Sequence, residues 1–185
     1  MKVINIHKRP IPQPATILGE MLQTLATDKD MLLATDKWPG MRLDKGLQVG
    51  SKGGHGPIRY FVKAYESGKA VTFEFTMKGF DGIHRFDIIE IDADNSELVH
   101  IIDMKTSGWA TVKWALAIRW LHDAFIEDAF DRVENHFTPN KANSNWNLWV
   151  RFLRKVMSKG KRKIKVNGKN PVIEFPLDNS IQKSY

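Results

Sequence analysis

The chain contains no cysteine, which removes disulfide and thiolate chemistry and gives no sign of an oxidising compartment. No apolar run approaches the ~20 residues that span a bilayer. The opening residues, MKVINIHKRP, lack the long apolar core of a secretory leader. A cytoplasmic protein is therefore expected. The G-x-S-x-G elbow of serine nucleophiles is missing, and so are the H-x-x-x-H and H-E-x-x-H spacings of helical metal sites. No metal and no cofactor is expected. The nearest thing to a phosphate loop, GSKGGHGP at 50–57, lacks the G-K-[ST] ending and leads through Pro57 into a strand pattern instead of a helix. Its glycines fit a turn at 51–57 that needs positive φ, and His55 within that turn is a candidate ligand contact.

The charge that is present is unevenly placed. The net +7 of the 185 residues comes from the end of the chain: residues 138–185 hold 11 Lys or Arg against 2 acids, and residues 1–137 hold 17 against 19. The high pI therefore says little about what the main body binds. Length and charge together indicate one domain over 1–137 with a basic extension over 138–185.

Helical periodicity is longest from Gly108 to Phe137, a stretch without proline. Counting around the helix from Trp114, the side chains of Ile118, Leu121, His122, Phe125, Ala129 and Val133 share one broad sector, while Asp123 and Glu127 lie opposite, toward water. Leu116, Trp120 and Phe130 fall on the polar side and Arg132 on the apolar one. This second apolar stripe calls for a cover, from elsewhere in the chain or from another molecule, including a second copy in a homodimer.

Before that helix the pattern is mostly period two. Lys2–Arg9 reads as an edge strand stopped by Pro10, and 14–34 as two short helices broken at 27–30. WPGM at 38–41 is a loop. Strands follow over 42–50, 58–65, 70–77, 83–91 and 97–105, joined by turns. An antiparallel sheet of this kind needs a cover for one face, and one long helix across it supplies one.

This order of elements, with the WPGM loop and the segments GSKGGHGPIRY, FEFTMKGFDGIHRF and WALAIRWLHDAFIEDAFD, resembles the START-related, birch-pollen-allergen-like superfamily, which includes polyketide cyclases and dehydrases. The resemblance implies an α+β helix-grip fold, a curved antiparallel sheet wrapped around a long C-terminal helix. It also implies a cavity for a small or medium hydrophobic ligand: lipid-like, aromatic or polyketide-like. It specifies no catalytic motif.

Within that frame Phe73 and Phe75 share a strand face and meet Trp114, Ile118, Leu121 and Phe125 of the helix, as cavity wall or as plain core. Polar groups on apolar faces are the sharper signal, because a buried polar side chain needs a partner. His84 shares a face with Phe86 and Ile88, His100 with Leu98, Ile102 and Met104, and Arg59 with Phe61 and Tyr65; His122 flanks the inward helix sector. These side chains can orient a ligand carbonyl or hydroxyl, or one histidine can serve as general base, or each can be structural. The charged pairs Arg119–Asp123 and Asp128–Arg132 read as a solvated face.

The extension carries a basic amphipathic helix beginning near Ser144, with Trp146, Trp149, Val150, Leu153 and Met157 on one side. It docks on its own domain, or it contacts an anionic membrane or nucleic acid through 146–165. The leading expectation is apolar ligand binding. The alternatives are a cyclase or dehydratase acting on such a ligand and an interaction module built on the extension.

Overall fold

The computed structural model describes residues 1–138 and 142–159. Seven strands form one sheet: β1 (Lys2–Ile11), β2 (Arg42–Leu43), β3 (Lys52–His55), β4 (Ile58–Glu66), β5 (Ala70–Phe75), β6 (Phe80–Glu90) and β7 (Ser96–Thr106). Their order is β1-β7-β6-β5-β4-β3-β2, with every neighbouring pair antiparallel. Helix α1 (Ala15–Gln23) follows β1. After β7 one long helix is built from α2 (Trp109–Lys113), a π-helical turn (Trp114–Ile118) and α3 (Arg119–Phe137); α4 (Leu148–Lys159) closes the described chain. The curved sheet around the long helix is the helix-grip arrangement.

Local departures from the sequence reading have physical causes. Pro10 does not stop β1, because β1 is an edge strand and a missing ladder donor is tolerated there. No second helix forms after α1. The Asp30 carboxylate accepts the backbone N–H of Leu32 and Leu33 at 2.9 Å each, a local bond that competes with helical pairing. The strand expected over 42–50 is only Arg42–Leu43, and the expected turn at 51–57 contains β3. Gly53 and Gly54 allow this. A Cβ at either would lie 1.9 Å from a backbone oxygen of the neighbouring strand, so only glycine lets the strands approach.

The core divides in two. One cluster joins α1, the middle strands and Phe125, Ile126, Ala129, Phe130 and Val133 of α3. The other joins Val3, Phe80, Ile102 and Met104 of the sheet to Ala110 and Trp114. Phe130, read as lying on the polar side of the helix, is fully buried in the first cluster.

Asp123 and Glu127 turn toward the sheet and are only partly open to water. They meet β1, where Asn5, His7 and Arg9 project from the inward face between buried Val3 and Ile11. Asp128 does not pair with Arg132. Its carboxylate is inaccessible and accepts Lys37 Nζ at 2.7 Å, Trp38 Nε1 at 2.7 Å and Trp146 Nε1 at 2.8 Å. The Arg154 guanidinium of α4 lies over both indoles, 4.1 Å from the Trp38 ring and 4.3 Å from the Trp146 ring. Together with buried Val150 this holds α4 against α3 and the WPGM loop. Residues 160–165 of the basic run and the segment NPVIEFPLD, read as an extended piece, lie outside the described residues.

Candidate functional site

Between the two core clusters lies a cavity of about 130 Å³. Its walls are Phe75, Phe86, Ile102 and Met104 from the sheet and Trp114, Ile118, Leu121 and Phe125 from the long helix. Trp38 and Pro39 of the WPGM loop, the Gly56–Pro57 turn and Met157 of α4 also line it. The π-helical turn brings Trp114 and Ile118 onto this wall together with Leu121 and His122. A single π turn inside a regular helix disturbs the backbone ladder and often marks a functional site. Here two indoles bond carbonyls of that turn: Trp120 Nε1 donates to Ala115 O at 3.2 Å and Trp149 Nε1 to Leu116 O at 2.8 Å.

The polar side chains of this apolar lining are four histidines, His55, His84, His100 and His122. They form a row through the gap in the core. His55 Nδ1 lies 2.9 Å from Tyr60 Oη, and the Tyr60 ring packs on His84 at 4.6 Å. His84 neighbours His100 at 5.7 Å, and His100 neighbours His122 at 4.9 Å between ring centroids. Burial disfavours the imidazolium form, so all four are pushed below the ordinary histidine value, His55 to about 4 and His84 and His100 well below it. They are neutral at pH 7, each with one nitrogen that can accept a hydrogen bond. His84 Nε2, His100 Nδ1 and His122 Nε2 are buried and find no partner. Three unsatisfied nitrogens on one cavity are costly, at ~1–3 kcal/mol each, and call for an explanation.

The row continues outward to His7, 5.7 Å from His122. His7 Nδ1 bonds Glu127 Oε1 at 2.7 Å, and Nε2 faces Asp123 Oδ1 at 3.2 Å. Burial alone would lower the His7 pKa. Hydrogen bonds to Asp123 and Glu127 and the charges of both carboxylates outweigh it and raise the value. Asp123 is lowered despite its own burial, because His122, His7 and Asn5 all bond it. Among the described residues, His7, His122 and Asp123 form the group whose ligand atoms lie close enough to hold a metal ion, within 4.8 Å of one another. With Nδ1–H given to Glu127, a neutral His7 would turn its Nε2 lone pair on the Asp123 oxygen; the proton of the imidazolium fills that place.

Of the side chains expected from the sequence, Phe75, His84, His100, Trp114, Ile118, Leu121, His122 and Phe125 line the cavity. Phe73 and Arg59 do not. Phe73 is fully buried behind the wall, with its ring stacked on His84 at 4.8 Å. Arg59 is exposed on the outer face, where it donates to Gly56 O and Ile58 O. A bulge between Val62 and Ala64 explains the misplacement. Before it Tyr60 and Val62 point inward, and after it Tyr65 does, so Arg59 and Tyr65, which straight alternation would place on one face, lie on opposite faces. His55, expected as a turn residue and a candidate ligand contact, lines the cavity and stacks on Phe125 at 5.0 Å. His7 escaped the sequence reading. Its signal was the polar triplet Asn5, His7, Arg9 at period two between Val3 and Ile11, matched by acids at 123, 127, 131 and 134 of the helix.

No protein-family model matches the chain, and no curated protein matches it. Solved structures do. A conserved protein of unknown function from Enterococcus faecalis is 15% identical, with 85% of this chain and 86% of that chain covered and a TM-score of 0.56. A protein from Nitrosospira multiformis is 8% identical, covering 74% and 97%, with a TM-score of 0.57. Norcoclaurine synthase from Thalictrum flavum, in complex with dopamine and hydroxybenzaldehyde, is 10% identical, covering 76% and 90%, with a TM-score of 0.56. The likeness is one of fold: the chain has the helix-grip fold that its resemblance to the START-related, birch-pollen-allergen-like superfamily implied.

Proposed function

We propose that the protein binds a small, largely apolar molecule in the cavity between sheet and long helix, with the histidine row reading its polar group. The observation that carries this is the trio of buried, unpartnered nitrogens, His84 Nε2, His100 Nδ1 and His122 Nε2, in an otherwise apolar chamber. Neutral acceptors suit a hydroxyl or phenol donor; the same ring in its other tautomer suits a carbonyl. A volume of about 130 Å³ compares with cavities of ~150 Å³ that take up benzene. A single aromatic ring or a short acyl chain is the size class, smaller than a whole lipid or a multi-ring polyketide. The synthase of the same fold carries two single-ring molecules, dopamine and hydroxybenzaldehyde, in keeping with that class. Apolar burial at ~25 cal/mol per Å² drives entry, and the histidines fix orientation.

The test is native mass spectrometry with organic extraction of whatever the purified protein carries, followed by titration with phenol and hydroxybenzaldehyde. A one-to-one adduct that moves the imidazole NMR signals of His84, His100 or His122 is expected. Absence of both a co-purified molecule and any imidazole shift with either probe would refute the reading.

One contact favours catalysis as the second reading. Asp123 Oδ1 lies 3.5 Å from His122 Nδ1, at the outer limit of a hydrogen bond. With Nδ1–H turned to Asp123, the unpartnered Nε2 lone pair is the acceptor, the arrangement of a general base held by a carboxylate. Such a base removes a proton from a bound hydroxyl or from a carbon beside a carbonyl. Deuterium uptake by the bound molecule, lost in His122→Leu but kept in His55→Ala, supports turnover; no uptake leaves binding alone.

A further inference from the structure

We infer that the outer faces of the long helix and α4 together form a docking surface for an anionic lipid bilayer, beside the cavity. On the long helix Trp109, Val112, Leu116 and Trp120, spaced three, four and four residues apart, make one exposed stripe; Trp109 is 76% and Leu116 59% exposed. On α4 Trp149, Phe152 and Val156 make a second, with Phe152 52% exposed. The stripes are joined, because Trp149 bonds Leu116 O and stacks on Phe152 at 5.3 Å. Of the side that the sequence reading turned toward the domain, Val150 is buried, while Trp149 and Met157 are exposed; the Trp149–Phe152–Val156 side stays uncovered among the described residues.

Charge selects the occupant. Lys113, Arg119 and Arg151 are exposed on these helices, and no Asp or Glu occurs between Asp103 and Asp123 or between Glu134 and Glu174. Aromatic and aliphatic side chains rimmed by cations of one sign match a headgroup interface, where the apolar face enters the acyl boundary and the cations meet anionic lipid. A second copy fits worse, since two-fold pairing would set a surface bearing Lys113 and Arg151 against its own like charges. Nucleic acid fits worse too: Trp149 and Phe152 already stack on each other, Arg119 lies over Trp120 at 5.5 Å, and Val112, Leu116 and Val156 offer phosphates nothing. The surface also reaches the chamber. The π-helical turn gives Leu116 to the stripe and Trp114 and Ile118 to the cavity wall, and Met157 beside Val156 lines the same cavity.

The experiment is co-sedimentation of the intact chain with vesicles of phosphatidylglycerol and phosphatidylcholine, against phosphatidylcholine alone, with tryptophan emission recorded. Partition about tenfold or more stronger on the anionic vesicles, with a blue shift and loss at high salt, is expected. Leu116→Ser/Phe152→Ser and, separately, Lys113→Glu/Arg151→Glu should each lower it about tenfold with an unchanged thermal melt, since all four side chains are exposed. Three results overturn the proposal: no partition at low salt, full partition by the Leu116→Ser/Phe152→Ser variant, or a dimer in sedimentation that this variant disperses. Salt-sensitive binding to an RNA oligonucleotide without vesicle binding overturns it as well.

Discussion

Replacing Asp128 by alanine tests whether α4 is an integral part of the fold. The carboxylate is inaccessible and takes three donors, Lys37 Nζ, Trp38 Nε1 and Trp146 Nε1. In Asp128→Ala the Lys37 ammonium, at 38% exposure, turns to water and loses little. The two indole N–H groups sit in half-buried rings and lose a charged acceptor, which is worth ~1.5–3 kcal/mol per bond when fully buried. Allowing for partial access of water, the sum is about 3 kcal/mol, and for a chain of this length that lowers Tm by about 6–12 °C. Asp128→Asn keeps one oxygen for the indoles and should fall about halfway. Differential scanning calorimetry measures both, and Trp38 and Trp146 supply a fluorescence signal for α4 coming loose. A Tm for Asp128→Ala within about 2 °C of the parent, with unchanged emission, would refute the claim that this carboxylate ties the extension to the domain.

Three further outcomes follow from named groups. The cavity histidines have lowered folded pKa values, so below the unfolded value of ~6.5 the unfolded chain binds more protons and stability falls as pH drops, by ~1.4 kcal/mol per pH unit for each such group. His7 has the opposite sign: its raised value contributes stability below pH ~6.5 that is lost as pH rises through the folded pKa. Chemical denaturation across pH 4–9 should show both flanks, with His7→Gln flattening only the alkaline one. His84→Phe keeps the ring stacks on Phe73 and Phe75 and removes an unpartnered nitrogen; the empty protein should melt about 2–4 °C higher while calorimetric affinity for a hydroxylated ring drops. Gly19→Ala would ordinarily favour helix α1 by ~1 kcal/mol, but the new Cβ would lie 2.3 Å from Gly68 O, so a lower urea midpoint is expected.

The sequence disclosed most of what depends on period and little of what depends on partners far along the chain. Phe75, His84 and His100 were legible because strict alternation holds on β5, β6 and β7, and Trp114 to Phe125 because a helix repeats predictably. Arg59 was misread because one bulged residue exchanges the two faces of β4, and nothing local in IRYFVKAYE announces a bulge. Asp123, Glu127 and Asp128 were assigned to solvent because angle counting around one helix does not know that β1 and the WPGM loop lie against it. The stretch over 31–34 looked helical by spacing, yet a single carboxylate, Asp30, satisfied two of its N–H groups and bent it away.

The helix that grips the sheet performs one task on its inward side and another toward β1, and this accounts for its mixed periodicity. Its inward side closes the chamber with Trp114, Ile118, Leu121 and Phe125. A second side carries Asp123, Glu127, Asp131 and Glu134 onto the basic residues of β1. That contact favours the charged form of one imidazole while burial favours the neutral form of its neighbours in the chamber. His7, which its carboxylate partners favour protonated, therefore lies just outside an apolar space whose histidines disfavour a proton, and Asp123 touches both His7 and His122. A ligand hydroxyl bonding His122 Nε2 would draw Nδ1–H closer to Asp123, and that shared oxygen would then compete for His7. Ligand uptake should thus register at His7, outside the chamber, as a change in its titration by NMR; a His7 titration unchanged on binding would show that the row is not coupled.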